Sequence, residues 1–541
     1  MTGTCLPYQR VPHSSGLFLD CLYHFDRVSD FYNGSPYELS SYKSVASQLH
    51  GLGKSRREVS EILFRQNKAF GCGEATFQNL QKLSEAGAFA VVTGQQTGLF
   101  GGPAFTIFKA ITTVRLASYL TGQGIPAVPV FWLATEDHDL AEVAEAATLD
   151  DEYNLISLTD HGARPAPRSH VGNVRLTGET ATALAQLEAS LPPGPNRDRL
   201  LQDLRETYVP GATWGEAFGR FLARLLSRWG VIFLDPLDSA MHHLSADVYS
   251  EALQHAVELR ARVFERSHLL IRKGYHAQVH VPEDSTLVFV TREGSRLPIH
   301  ERGGSYFVDG THEASLASLQ SELASSPLAF SSNVLLRPLV QDTLLPTLAY
   351  VAGPAELAYL GQAQVLYEAF GRPQPVVFPR AAFTLVDHRI QRLLDKYRLG
   401  VEDVWLGNEH LSGKIAAAGF AEGWSERFDQ AQQAMANLFD RLQGDVERLD
   451  PTLLDALQHA KEKINFQMER LRGKISRAGF SRSELLGRHA QLLDRFLMPN
   501  KDLQERAVSG AYFLGRAGYP LMDQLLSLIK TDGPGHQVVT L

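Results

Sequence analysis

The sequence predicts an α/β fold: a Rossmann-like parallel-sheet core with inserted segments, one of them small and β-rich, and a C-terminal α-helical antiparallel coiled coil. Three observations carry that prediction. Ala88 to Asp139 reads as one βαβ unit. The same order of strand, glycine, proline and helix returns near residues 347–370. From about Leu385 onward the apolar residues follow helical and then seven-residue spacing.

Within the βαβ unit, Ala88 to Thr93 is a short apolar run bounded by Gly94, which predicts a buried strand. A loop with Gly94, Gly98, Gly101 and Gly102 follows. Pro103 stands where a first helical residue belongs, and Ile107, Ile111 and Val114 recur at helical spacing toward Gly122 and Gly124. Ala127 to Ala134 is apolar throughout, as a strand covered on both faces should be.

Both strands deliver polar residues to their carboxyl ends, the edge where open parallel sheets bind ligands. After the first strand, Thr93, Gln95, Gln96 and Thr97 offer uncharged donors and acceptors. Gly94, Gly98, Gly101 and Gly102 let the backbone approach a ligand, and the helix start offers N–H groups to an anion. Lys109 shares a helical face with Gly102 and Thr106. After the second strand, Glu136, Asp137, His138 and Asp139 place three carboxylates and an imidazole across the crevice, the groups proton transfer requires. A solvated strand end with an N-capped helix is the plainer alternative. The glycine spacing is neither G-x-G-x-x-G nor G-x-x-x-x-G-K-[ST], so these residues imply a small anionic or polar ligand and no particular nucleotide.

The second half of the core adds Arg337 and Gln341, four residues apart and on one face of a helix. Arginine suits a carboxylate, and a structural ion pair is equally consistent. Gly353, Pro354 and Glu356 open another helix. There Glu356 either favours the helix dipole or points into the crevice to hold an amine.

VVTGQQTGLFGGPAFTIFKA followed by PVFWLATEDHD resembles the BshC family of cysteine-adding enzymes in bacillithiol biosynthesis. So do SSNVLLRPLVQDTLLPTLAYVAGPAELAY, PVVFPRAAF and PNKDLQER, and the resemblance runs along essentially the whole chain. It implies a ligase that joins cysteine to glucosaminyl-malate, making the thiol bacillithiol. It also implies a Rossmann-like core and a homodimer built through the coiled coil. Amide formation needs an activated carboxyl group, so ATP, leaving ADP, with Mg2+ on the nucleotide, is the donor this chemistry suggests, although no ATP motif is present. Other expectations stay open: another Rossmann-type nucleotide-dependent transferase or ligase for a small amine or sugar, and a nucleotide-binding coiled-coil scaffold.

The bulk properties agree. The chain has 541 residues, 44% apolar and 21% charged, with net charge −8, so neither nucleic acid nor an acidic membrane is an expected partner. It has no run long enough to cross a bilayer and no charged-then-apolar leader, and Cys5, Cys21 and Cys72 lie in no paired spacing. A cytoplasmic setting without disulfide or zinc scaffold is expected.

In chain order, residues 1–87 read as helices packed on the core, with Arg10, His13 and Ser14 either at the surface, the default, or within reach of a ligand, and 88–160 as the first half of the core. Residues 161–229 form an inserted connection rich in proline and glycine. Residues 230–275 supply a core strand, Asp235 to Asp238, which either border the crevice or form a structural turn, and a helix from Met241 to about Ser267. Its adjacent His242 and His243 point to different faces, so no metal site is expected. Residues 276–325 alternate in a β pattern, and 326–384 complete the core. In 385–498, Phe428, Met435, Leu442 and Leu449 recur every seven residues, with Ala431 and Leu438 between them. Leu457, Ile464, Met468, Leu471 and Ile475 mark a second arm, and Ser481 with Glu484 forms a capping-box pattern. Residues 499–541 read as a helical tail. There Asn500, Lys501 and Arg506 are either a solvated helix start or, with Arg380, a second anion or nucleotide pocket.

Overall fold

A computed structural model describes residues 3–49, 56–163, 165, 168–419, 424–481 and 484–541. Its core is a parallel sheet of β1 (Phe89–Gln95), β2 (Ala127–Leu133), β3 (Ile232–Leu234), β4 (Thr347–Ala352) and β5 (Val376–Pro379). The order across the sheet is β5-β4-β1-β2-β3. The chain therefore runs outward from β1 and then returns to lay β4 on the other side of β1. That reversal opens a crevice at the carboxyl ends of β1 and β4.

These strands are long apolar runs because both faces are covered, and every residue of β4 is buried. Six helices frame the crevice and build the C-terminal hairpin: α1 (Phe105–Gly122), α2 (Ser239–Gln254), α3 (Arg337–Leu344), α4 (Pro354–Ala369), α5 (Trp424–Leu449) and α6 (Leu454–Ser481). Buried side chains of β1, β2 and α1, such as Val92, Phe131 and Ile111, each contribute roughly 1.5–3 kcal/mol. A second, antiparallel sheet of Ser285–Arg292, Ser295–Arg302, Ser305–Val308, His312–Ala314 and Phe330–Ser332 stands beside the crevice.

Several sequence expectations are corrected. The helix expected from Pro103 begins at Phe105, because residues 99–101 form a tight turn and Pro103 pairs with Ser509 in an isolated bridge. The N-terminal segment and the C-terminal tail are not wholly helical. Gly3–Leu6 and Ala382–Val386 flank His536–Thr540 in a three-stranded sheet, a pairing across more than 500 residues that no local pattern announces. The helix expected to run from Met241 to Ser267 breaks at His255 and resumes as Ala256–Arg272.

In the hairpin of α5 and α6, Phe428 is buried and Met435, Phe439 and Val446 are half-covered, whereas Leu438, Leu442 and Leu449 are exposed. The seven-residue stripe thus divides between the seam and an open face. The side chain of Ile475 and the Ser481 cap lie outside the described residues.

The C-terminal segment is tied to the core by charge. Arg380, just past β5, donates to both oxygens of Glu505 at 3.0 and 2.6 Å, and Phe383 N donates to the same carboxylate at 3.1 Å. Burial opposes the charge on Glu505, but Arg380 outweighs it and holds the carboxyl below the ordinary glutamate range. This stabilisation is complete above the unfolded-state range and is lost as pH falls through the lower native value. Glu505→Ala strands the buried guanidinium and is expected to cost about 3–5 kcal/mol. Urea unfolding near neutral pH measures it as a lower midpoint, and an unchanged midpoint would refute the pairing's importance.

Candidate active site

A cavity of about 530 Å³ lies at the carboxyl ends of β1 and β4, under the antiparallel sheet. Its floor is Gly94, where an added Cβ would lie 3.2 Å from Trp132 O and 3.4 Å from the Tyr350 hydroxyl, so a larger residue would have to push these neighbours back by a few tenths of an ångström. Lys109, buried in mid-α1, donates to Gly94 O at 2.6 Å and Gln95 Oε1 at 3.0 Å, and pairs with Glu356 Oε2 at 2.6 Å. Burial lowers its pKa despite Glu356. Glu356 also accepts from Tyr350 OH at 2.9 Å and Gly353 N at 2.8 Å. Lys109 and Glu356 are therefore spent on each other and on the floor, which leaves neither as the anion or amine receptor the sequence suggested.

Arg337 faces the cavity differently. Its guanidinium donates to Gln341 Oε1 at 3.1 Å and to the hydroxyls of Tyr350 and Tyr359, each at 3.4 Å, and lies over the rings of Trp132 and Tyr350. Among the described residues it makes no ion pair. Gln341 lies behind it, fully buried, and donates onward to Asp342 at 2.8 Å; burial pushes that carboxyl up to about 6.

Across the cavity stand Glu136, Asp137 and His138. Asp137 accepts from Gln96 Nε2 at 2.6 Å and from the backbone N–H of His138 at 2.6 Å. Asp139 caps the turn Leu140–Val143 by accepting from Glu142 N and does not line the cavity. Arg296, from the antiparallel sheet, donates to His138 Nδ1 at 3.3 Å, to Ser331 Oγ at 2.9 Å and to Ser332 O at 2.6 Å. No pattern in the sequence singles out Arg296, Tyr350 or Tyr359, because only the fold brings them to β1.

The remaining sequence candidates sit elsewhere. Thr93 is buried and donates to Val351 O at 2.8 Å. Gly98, Gly101 and Gly102 lie outside the cavity lining. Tyr208 OH donates to Gly98 O and accepts from Gly101 N, each at 2.9 Å, and Gly101 has φ +88° with Phe221 2.9 Å from an added Cβ. These glycines build a tight turn. Asp235 accepts from Thr135 and Leu237 N, and Asp238 caps α2, so that stretch is a structural turn.

Arg380 and Arg506 border both this cavity and a neighbouring one of about 480 Å³, which Lys501, His13 and Ser14 also line. Asn500 is outside both and holds a left-handed turn at φ 53°. Burial pushes the Cys21 and Cys72 thiols up to about 12, far from nucleophilic activation.

Tyr208→Phe tests whether the glycine turn is structural. Losing the hydroxyl removes two hydrogen bonds from a turn in which Gly101 N–H still reaches Gly98 O at 3.2 Å, and is expected to cost about 1–3 kcal/mol, visible as a lower melting temperature. Substrate KM should stay within about twofold, since no ligand contact is removed; a large rise in KM with unchanged stability would return the turn to the binding site.

Residues 1–381 match the family described as "Bacillithiol biosynthesis BshC, N-terminal Rossmann-like domain", and residues 383–541 match its C-terminal coiled-coil domain. A relative from Koribacter versatilis named "Putative cysteine ligase BshC" is 36% identical, with all of both chains covered. Relatives of the same name from Solibacter usitatus and Salinibacter ruber are 34% and 32% identical, covering 100% of both chains in the first case and 97% of this chain and 96% of the relative in the second. With both domains matched end to end and the crevice at the switch point of its Rossmann-like sheet, this chain belongs to the BshC family of bacillithiol biosynthesis.

Proposed function

We propose that this chain is a cysteine ligase that joins the carboxyl group of cysteine to the amine of glucosaminyl-malate, the last step of bacillithiol formation. The relatives' name supports the class of enzyme. The observation that carries the substrate reading is Arg337: a half-buried cation facing the cavity, held by neutral hydroxyls and an amide instead of a carboxylate. Such a group suits a substrate carboxylate, and the malate moiety carries two.

An amine does not usefully attack a free carboxylate at neutral pH, so the cysteine carboxyl must first be activated; ATP with Mg2+ would supply that activation as a phosphate or adenylate leaving group. Arg337 then anchors the malate end, the Tyr350 and Tyr359 hydroxyls fix its orientation, and the residues after β2 accept the amine proton. Lys501 and Arg506, at the mouth of the neighbouring cavity, suit nucleotide phosphates, while Arg380 there is held by Glu505. A homodimer through the hairpin is supported by Leu438, Leu442 and Leu449, exposed along α5, and Phe466 and Leu471, exposed along α6.

Purified protein incubated with cysteine and glucosaminyl-malate is expected to form bacillithiol, identified by mass, only when ATP and Mg2+ are added. Product formed without a nucleotide removes ATP from the mechanism, and no product under any donor removes the ligase reading. Arg337→Gln is expected to raise the KM for glucosaminyl-malate about 10- to 100-fold, the scale of a charge-assisted hydrogen bond, while leaving the KM for cysteine little changed.

A further inference from the structure

One wall of the crevice is backed by a buried histidine. His242, on α2, is 2% exposed, and its Nε2 lies 3.2 Å from Glu136 Oε1. Its neighbour His243 is exposed. The His242 ring stacks on Tyr249. From the other side, His170 Nδ1 is 2.9 Å from the Glu136 carbonyl oxygen, and its Nε2 is 3.0 Å from Thr291 Oγ1. Glu136 is thus fixed at both backbone and side chain. Among the described residues its carboxylate pairs only with His242, an ion pair by distance in which neither Glu136 Oε1 nor His242 Nε2 is in hydrogen-bonding geometry. The titratable and charged groups facing the pair are His170, Arg296, Asp235 and Tyr249. Burial opposes both charges, yet His242 holds the Glu136 carboxyl below its ordinary range and Glu136 holds the His242 imidazole above its own.

His138 is engaged in the opposite sense. His138 Nδ1 lies 3.3 Å from Arg296 Nη1 and 3.5 Å from Asp137 Oδ1; a guanidinium only donates, so the shorter contact makes Nδ1 the acceptor and leaves the ring proton on Nε2. Burial and Arg296 together lower the pKa of His138, so the ring is neutral at pH 7. Its other nitrogen is then a donor and takes up no proton. Asp137 is occupied by Gln96 and its own loop, and Asp139 by its cap.

We infer that Glu136 is the proton acceptor of the crevice, with His242 as its positioning residue, and that His138 is a hydrogen-bond donor to the acyl oxygen. This rests on the proposed ligase function. The amine lone pair forms the new N–C bond, and the carbonyl π pair moves to oxygen, where His138 Nε2–H donates. The amine N–H proton passes to Glu136. When the adduct collapses, the bond from carbon to the activating phosphate oxygen breaks and its electron pair leaves with that group.

The test compares full-length Glu136→Gln, His242→Phe, His242→Gln and His138→Gln. Glu136→Gln should lose about 10²- to 10⁴-fold in kcat. His242→Phe should lose about a hundredfold and move the acidic limb of the kcat/KM profile to higher pH, because the main opposition to burial is then gone and only the weaker pull of His170 and Arg296 remains on Glu136. His242→Gln, which restores an N–H near the Nε2 position, should recover part of the rate. His138→Gln should lower kcat and keep the acidic limb. An acidic limb that stays in place in His242→Phe, or vanishes in His138→Gln, overturns the assignment. Histidine NMR gives a readout without turnover. The His242 signal, identified by its loss in His242→Phe, should titrate above the ordinary histidine range and fall in Glu136→Gln; no such fall overturns the pairing. A protein that shows this coupling but adds no cysteine refutes the ligase reading alone.

Discussion

The crevice depends on the burial of one ammonium group. The Lys109 side chain leaves α1 almost wholly buried at the wall of the cavity, where an unpaired charge costs several kcal/mol. Its three acceptors come from the β1 backbone, the residue that ends β1, and the first turn of α4. An ammonium has three protons, so its capacity is filled. Because these acceptors stand on both sides of the switch point, neither β1 nor α4 can shift without stranding a charge. That interaction ties the end of β1 to the first turn of α4 and so stiffens the floor of the crevice.

Fixing the floor in this way divides the cations by role. Arg380 is neutralised by Glu505, and Arg296 is spread over His138, Ser331 and Ser332. Arg296 and Arg337 are both held by neutral partners, but Arg296 is buried against its own sheet whereas Arg337 is only half-buried and faces the cavity. Tyrosine hydroxyls orient a guanidinium without cancelling its charge, which is the property an anion receptor needs.

The sheet was legible in the sequence because β1, β2 and β4 are continuous apolar runs. The residues after β2 were legible because charged groups that directly follow a buried parallel strand emerge at the ligand-binding edge of the sheet. The antiparallel insertion showed in its alternation. What escaped is long-range. Arg296 and His242 reach the crevice from elements more than 100 residues beyond β2, and the strand at His536–Thr540 has partners at both ends of the chain. The seven-residue stripe on α5 identified a coiled coil but not which of its faces is covered, since a repeat records periodicity and a seam also depends on the partner helix.

The glycine loop is the instructive case. Gly98 to Gly102 followed by a helix has the syntax of a phosphate site, in which free N–H groups at the helix start bind the anion. Here the chain's own C-terminal segment takes that place. Ala104 N donates to Val508 O at 2.9 Å, and both Gly510 N and Ser509 Oγ donate to Gly102 O. An N–H already bonded to a carbonyl has no proton left for a phosphate. The start of α1 therefore does not serve as the anion site; with Lys109 saturated, Arg337 and the first turn of α4, which line the same cavity, are the groups placed to receive an anion.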